Sequence, residues 1–136
     1  MTAVVDTSVL IDYLRGHQGA VDLLETERSL APLHASEITR LEILAGMRPS
    51  EATGTDLLLS TLMWHPVDAT VARRAGAFGR TYLPSHRGID SADLAIAATA
   101  ADLEATAHAE RAALPDVPRP AVALRLTQSC ARVCPR

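Results

Sequence analysis

Three acidic side chains lie in apolar stretches of the sequence, where a carboxylate needs a specific reason. Asp6 follows the apolar run AVV, Glu42 is flanked by Leu41 and Ile43, and Asp93 lies in GIDSADLAIAATA. Carboxylates that converge in one cleft repel one another unless a hard divalent cation neutralises them, and Mg²⁺ or Mn²⁺ suits an all-oxygen ligand set. Such a cation can activate a water for attack on phosphorus. The three acids are therefore candidates for a metal-dependent nuclease site.

Each acid also has a structural interpretation, in which it serves only its own helix. These interpretations are a cap by Asp6 for a helix starting near Ser8, a surface ion pair of Glu42 with Arg40 or Arg48, and a capping box of Asp90 with Asp93. Taken together the acids favour a site, because their elements would bring them to one edge of a parallel sheet.

The acids are distributed over alternating short strands and helices. Apolar runs predict strands over residues 3–5, 30–34 and 64–67. Helical spacing, with Arg15-Gly16 as a stop and with Ser36 and Asp68 as caps, predicts helices over residues 9–14, 20–27, 36–47, 51–63, 68–82 and 91–103. This alternation is typical of a parallel sheet covered by helices on both faces, so the predicted fold class is α/β.

The composition is that of one globular domain of 136 residues. There is neither a bilayer-spanning apolar run nor a secretory signal, which predicts a cytoplasmic protein without membrane attachment. The net charge of −3 argues against non-specific adhesion to nucleic acid, so an acidic polymer as substrate would need a screening cation and local arginines. Cys130 and Cys134 form a CxxxC pair without a further cysteine or nearby histidine, and we interpret them as incidental rather than as a metal or redox site.

Three blocks, DTSVLIDYLRG, ASEITRLEILAGMR and GIDSADLAIAATA, together resemble the PIN-domain ribonucleases, specifically the VapC toxins of VapBC toxin-antitoxin modules. The resemblance covers residues 2 to about 105, in the family's order and spacing. It implies a PIN-like three-layer α/β/α fold with a central parallel sheet. It also implies a Mg²⁺-dependent (or Mn²⁺-dependent) endoribonuclease, a VapB-type antitoxin as partner, an RNA substrate and a homodimer.

The resemblance assigns the acids to the catalytic site. Asp6, Glu42 and Asp93 match the catalytic and metal-binding acids of the family, and Asp90 matches an accessory acid of the metal site. The resemblance thus implies that these four residues are the metal ligands.

The contacts to substrate are assigned less directly. The hydroxyls of Thr7 and Ser8 would orient the acidic cluster beside the substrate, and His86 and Arg87, in the loop before the acidic helix, are the predicted RNA contacts. His34 and His65 match no catalytic motif of the family and are predicted to be structural or surface residues.

The resemblance ends near Thr106. The family continues with a strand and a motif that reads roughly LLTRNxxHF, whose Asp or Asn completes the acidic quartet, and this chain has neither. Synonymous codons for residues 107–126 can be chosen so that, read from the second base, they spell LTRNVRHFPMFPDLRSPYG followed by a stop. We therefore expect a PIN-like domain over residues 1–105, without the family's last strands, and a frameshifted, disordered or non-native tail over residues 106–136. The shift could be a mutation or an error in the reading.

Three functions stay open at this point. The chain could be an active VapC-type ribonuclease, a catalytically impaired remnant that only binds its antitoxin, or a structural α/β domain whose acids are helix caps. Metal binding separates the third from the others, and RNA cleavage separates the first from the second. No motif indicates which RNA would be cut.

Overall fold

The fold is given by a computed structural model, which describes the backbone of residues 2–111 and the side chains of residues 2–103. Strands and helices alternate as the sequence predicts, which confirms the α/β class. The elements are β1 (Ala3–Val4), α1 (Thr7–Leu14), α2 (Gln18–Leu30), β2 (Leu33–Ser36), α3 (Glu37–Gly46), a 3₁₀ turn (Pro49–Glu51), α4 (Ala52–Leu59), β3 (Met63–His65), α5 (Ala69–Tyr82) and α6 (Ser91–Arg111).

The strands form a parallel sheet in the order β1-β2-β3. Ala3 pairs with Leu33, and Ala35 pairs with Trp64. Within residues 2–111 the sheet has three strands and β1 lies at one edge. The segment in which the family's last strands would follow lies outside the described residues, so their absence stays a prediction. The predicted tail lies mostly outside the described residues, so its frameshift and its lack of order stay predictions.

The two faces of the sheet are covered by different helices. On one face, the strand side chains join those of α1 to α4 in the main core, whose buried members are Ala3, Val5, Val9, Leu10, Leu24, Leu33, Ala35, Ile43, Leu58, Leu59 and Leu62. On the other face, α6 packs against β1 and β2 and buries Ala95, Ala98 and Thr99. Small side chains allow this close approach of helix and sheet, and the arrangement confirms the three-layer prediction.

Several helix ends follow from local chemistry. Asp68 caps α5 as predicted, because its carboxylate accepts hydrogen bonds of 2.9 Å from the amides of Thr70 and Val71. Gly16 adopts a φ of 75° after α1, a conformation that glycine allows without strain. Ser36 occupies the N-cap position of α3 as predicted, but its side chain makes no capping bond.

Other boundaries differ from the prediction. α2 continues to Leu30, so β2 begins at Leu33 rather than at Leu30 and runs to Ser36 rather than to His34. α4 ends at Leu59 rather than at Met63, and the indole of Trp64 donates to the Leu59 carbonyl at 2.9 Å, which satisfies one of the carbonyls at the helix end. α6 runs to Arg111, consistent with the strong helix propensity of its alanine-rich sequence. Among the described residues, no helix is both long enough and apolar enough to cross a bilayer.

Candidate acidic active site

Asp6 lies where β1 ends and α1 begins. It has extended backbone angles, φ −76° and ψ 152°, and is the N-cap of α1. Its carboxylate accepts a hydrogen bond of 3.2 Å from the Ser8 amide and a second one from the Ser8 hydroxyl. Asp6 thus serves as a cap, and the exposed Ser8 orients its carboxylate.

Glu42 is tied to the first strand through Thr7. The Thr7 hydroxyl donates to Oε2 of Glu42 at 2.6 Å, and its oxygen also lies 3.0 Å from the hydroxyl oxygen of Thr39. Because Thr7 has one hydroxyl proton and the carboxylate only accepts, we assign the proton between the two threonines to Thr39. Both threonines are buried, whereas Glu42 is half-buried. The chain therefore holds Glu42 beside the residue that follows Asp6.

Asp90 and Asp93 form a reciprocal capping box at the start of α6. The Asp93 amide donates to the Asp90 carboxylate at 2.9 Å, and the Asp90 amide donates to the Asp93 carboxylate at 3.1 Å. Both side chains are exposed. The predicted capping box is confirmed, and it fixes Asp93 in the first turn of the helix.

The elements that carry the acids are mutual neighbours. α1 packs against α3, α3 against α6, and α6 against β1. Across the described part of the chain, however, no three His, Cys, Asp or Glu side chains lie close enough together to hold a metal ion. Each carboxylate instead accepts hydrogen bonds from the protein: Asp6 from Ser8, Glu42 from the distant Thr7, and Asp90 and Asp93 from each other's amides.

The donor set itself fits a hard cation. It consists of carboxylate oxygens only, the ligand type that Mg²⁺ and Mn²⁺ prefer. Each carboxylate has lone pairs beside those that accept the present hydrogen bonds, so the bonds to Ser8 and to the backbone amides do not exclude a cation. Their assignment as metal ligands stays a prediction.

A groove of about 410 Å³ lies between α1, α3 and α4 and is lined by Glu42 together with Arg15 and Arg48. The sequence analysis did not identify Arg15 and Arg48 as residues that line a groove beside Glu42. The sequence feature that could have identified these arginines is their position, because they follow the helices of the blocks DTSVLIDYLRG and LEILAGMR. The predicted surface ion pair of Glu42 with Arg40 or Arg48 is wrong.

The contacts that the structure gives these two arginines are made with other residues. Arg40 pairs with Glu37 at 2.8 Å, and its guanidinium carbon lies 4.1 Å from the ring centroid of Trp64. Arg48 contributes its backbone amide to the Glu51 carboxylate at 2.8 Å. The Glu42 carboxylate instead accepts a hydrogen bond from the Thr7 hydroxyl.

The residues predicted to contact substrate lie in two different environments. His86 and Arg87 are exposed in the segment between α5 and α6, and the His86 ring is held by the Ser85 hydroxyl at 2.9 Å and by edge contact with Tyr82. Thr7, by contrast, is buried and bonded to Glu42. The bond agrees with the expectation that the Thr7 hydroxyl orients the acidic cluster, and a contact of Thr7 with substrate stays a prediction.

The comparison with known sequences connects this arrangement to a family. Residues 3–111 match the family model of the PIN domain. Ribonuclease VapC19 of Mycobacterium tuberculosis is 41% identical over 103 residues, which are 75% of this chain and 82% of the relative. Ribonuclease VapC10 of the same organism is 40% identical over 97 residues, which are 71% of this chain and 73% of the relative.

Two solved structures share the architecture. A toxin-antitoxin complex from Klebsiella pneumoniae matches with a TM-score of 0.65 and 28% identity, over 76% of this chain and 81% of that one. VapBC2 from Rickettsia felis, bound to a DNA fragment from its promoter, matches with a TM-score of 0.63 over 72% of this chain and 78% of that one. Because the second match is only 19% identical, it supports the fold alone.

Proposed function

The chain belongs to the PIN-domain family, among the VapC ribonucleases, and on this premise we propose that it is a Mg²⁺-dependent endoribonuclease toxin. The observation that carries the proposal is the hydrogen bond from Thr7 to Glu42, which joins the first acidic block to the second. A helix cap alone would give Glu42 no reason to be fixed beside the end of β1. The structural interpretation, in which the acids are helix caps or surface ion-pair partners, does not include this contact.

The proposed metal ligands are Asp6, Glu42 and Asp93, with Asp90 as an accessory acid. A bound Mg²⁺ or Mn²⁺ would supply Lewis-acid chemistry for hydrolysis of a phosphodiester. The chain's own residues prepare these ligands before any cation binds. Thr7 restricts the rotamer of Glu42, and Ser8 orients the carboxylate of Asp6.

RNA would be held by three arginines and one histidine next to this site. Arg15 and Arg48 line the groove that contains Glu42, and His86 and Arg87 lie just before the acidic helix α6. Because the whole chain carries a net charge of −3, binding would depend on these local groups rather than on a general basic surface.

The partners follow from the family. The Klebsiella pneumoniae match is a toxin-antitoxin complex by name. We propose a VapB-type antitoxin as the partner of this chain, a homodimer as its own assembly, and a cytoplasmic location.

A second candidate function is a catalytically impaired toxin that still binds its antitoxin. It is favoured by the sequence after residue 106, which lacks the Thr-Arg-Asn or Thr-Arg-Asp motif that would complete the acidic quartet. In this case, the three acids would bind metal weakly and RNA would not be cut.

The test is cleavage of total bacterial RNA by the purified chain with Mg²⁺, with EDTA, and with the Asp6→Asn variant. Cleavage that requires Mg²⁺ and disappears in Asp6→Asn supports the proposal. Cleavage that persists in Asp6→Asn indicates a contaminating nuclease and contradicts it. Antitoxin binding without any cleavage favours the impaired toxin instead.

A further inference from the structure

Two histidines and one serine share the sheet face opposite the main core. Side chains alternate along a strand, and Leu33 and Ala35 of β2 point into the main core, as does Trp64 of β3. His34 and Ser36 of β2, and His65 of β3, therefore lie on the opposite face. In the ladder Ser36 pairs with His65, so His34 and His65 are diagonal neighbours on adjacent strands.

The two imidazoles are in direct contact. Nδ1 of His34 lies 2.7 Å from Nε2 of His65, with ring centroids 5.0 Å apart and ring planes at 26°. One nitrogen donates the shared proton and the other supplies the lone pair. Burial, and then the charge of His65, lower the pKa of His34, so its neutral form is favoured. Neutral imidazoles on two hydrogen-bonded strands are metal ligands whose backbone positions are already fixed.

Ser36 gives a second, independent observation. Its side chain is fully buried, and among the described side chains its Oγ is the buried polar atom that has no hydrogen-bond partner. It makes no capping bond to α3, although it occupies the N-cap position where serine usually makes one. A buried hydroxyl without a partner is costly, so this atom is available to a water or another group bound beside it.

We propose that His34 and His65 bind one divalent transition cation of the class that prefers imidazole, such as Zn²⁺, with Ser36 hydrogen-bonded to a water on that cation. In the segment with described side chains, no third His, Cys, Asp or Glu completes the ligand set, so water occupies the remaining positions. The site differs chemically from the acidic one, because Mg²⁺ disfavours nitrogen ligands. A cation here bridges β2 to β3 directly before α3, the helix that carries Glu42, and stabilises the folded chain.

The main test measures thermal unfolding of the full chain after removal of metal, with Zn²⁺ or Mg²⁺ added. It uses a Cys130→Ser, Cys134→Ser background, so that the tail thiols cannot bind Zn²⁺. We expect Zn²⁺ to raise Tm, and we expect His34→Gln and His65→Gln to lower Zn²⁺ affinity at least tenfold. The matched controls are His17→Gln and His86→Gln, which remove exposed histidines and should leave the Zn²⁺ affinity unchanged. If Zn²⁺ raised Tm equally in all four variants, or did not raise Tm in the parent chain, the proposal would be overturned.

A second measurement needs no variant and so does not depend on their folding. Diethylpyrocarbonate modifies accessible imidazoles, and peptide mass spectrometry locates the modified residues. Zn²⁺ should protect His34 and His65 while His17 and His86 continue to react. Protection of none of the four, or of all four alike, would contradict a site at this pair.

Discussion

Thr7 donates its hydroxyl proton to Glu42 across 2.6 Å, although the two residues are 35 positions apart in the sequence. The bond connects the end of the first strand with the middle of α3, so it positions Glu42 relative to Asp6 without any cation. The neighbouring Thr39 lies 3.0 Å from the same hydroxyl and completes a buried chain of polar groups. This chain makes Thr7 a positioning residue whose effect can be measured separately from that of the acids.

The first prediction concerns this hydroxyl. Thr7→Val keeps the shape of the side chain but removes the bond to Glu42, and we expect RNA cleavage to fall by about 10- to 100-fold, as for other groups that orient metal ligands. The Mg²⁺ concentration for half-maximal activity should rise, which a purely structural role would not cause. Thr7→Ser should restore most of the activity. Full activity in Thr7→Val, with unchanged Mg²⁺ dependence, would show that the bond is not needed.

The second prediction separates the capping role of Asp6 from its proposed role as a metal ligand. Asparagine caps helices about as well as aspartate, so Asp6→Asn should leave the free energy of unfolding nearly unchanged while cleavage is lost. Asp6→Ala should lose cleavage and also about 1 kcal/mol of stability, because it removes the cap as well. Denaturant unfolding and RNA cleavage are measured on the same samples.

Asp68 provides the matched control, since it caps α5 by the same kind of bond. Asp68→Ala should cost similar stability and leave the cleavage rate unchanged once the protein is folded. If Asp6→Asn retained cleavage, Asp6 would be a cap and nothing more.

The sequence was most informative where the signal is local. Caps at Asp6 and Asp68, the Asp90–Asp93 box and the glycine after α1 all depend on residues within a few positions of one another, and each is present in the structure. The alternation of strands and helices follows from short-range periodicity in the same way, and it was sufficient to predict a parallel α/β sheet.

What the sequence did not indicate depends on contacts between distant residues. Glu42 pairs with Thr7 rather than with a nearby arginine, because packing of α1 on α3 brings the two side chains together. The contact of His34 with His65 depends on the register of β2 against β3, which no local pattern specifies. Arg15 and Arg48 share a groove only after α1 and α3 have packed.

The third prediction concerns these two arginines. In an Asp6→Asn background that binds RNA without cutting it, Arg15→Gln and Arg48→Gln should each weaken RNA binding several-fold. Each should also reduce the slope of log affinity against log salt by about 0.7, the value for one phosphate contact on a single strand. Fluorescence anisotropy with a labelled single-stranded RNA measures both quantities.

Arg73→Gln serves as the control, since this exposed arginine lies on α5 and does not line the groove. Its affinity and salt slope should match those of the parent. If Arg73→Gln weakened binding as much as the groove variants, RNA would bind by general electrostatic attraction, and the groove would have no special role.

The fourth prediction follows from the lowered pKa of His34. Because burial and the charge of His65 lower this pKa below 6.5, the unfolded chain takes up the proton first as the pH falls. The contribution of His34 to stability is therefore fully present above pH 6.5 and is lost as the pH falls through the lower folded value. Urea unfolding with EDTA at pH 7.5, 6.5 and 5.5 should show a smaller loss for His34→Gln than for the parent or for His86→Gln. Parallel curves for all three proteins would exclude this role for His34.

The fifth prediction concerns the sequence after residue 106. Replacing residues 107–136 by LTRNVRHFPMFPDLRSPYG restores the ending that the family resemblance implies. We expect the restored chain to unfold at a higher temperature, because β1 lies at the edge of the described sheet and has backbone groups available for another strand. We also expect faster RNA cleavage, because the Asn of the restored LTRN motif would complete the acidic quartet.

The control for this replacement is the restored chain with that Asn changed to Ala. It should keep the gain in thermal stability, which depends on strand pairing, and lose the gain in cleavage, which depends on the side chain. A restored chain that is neither more stable nor more active than the original would contradict the frameshift hypothesis. In that case three acids on β1, α3 and α6 would have to account for any activity on their own.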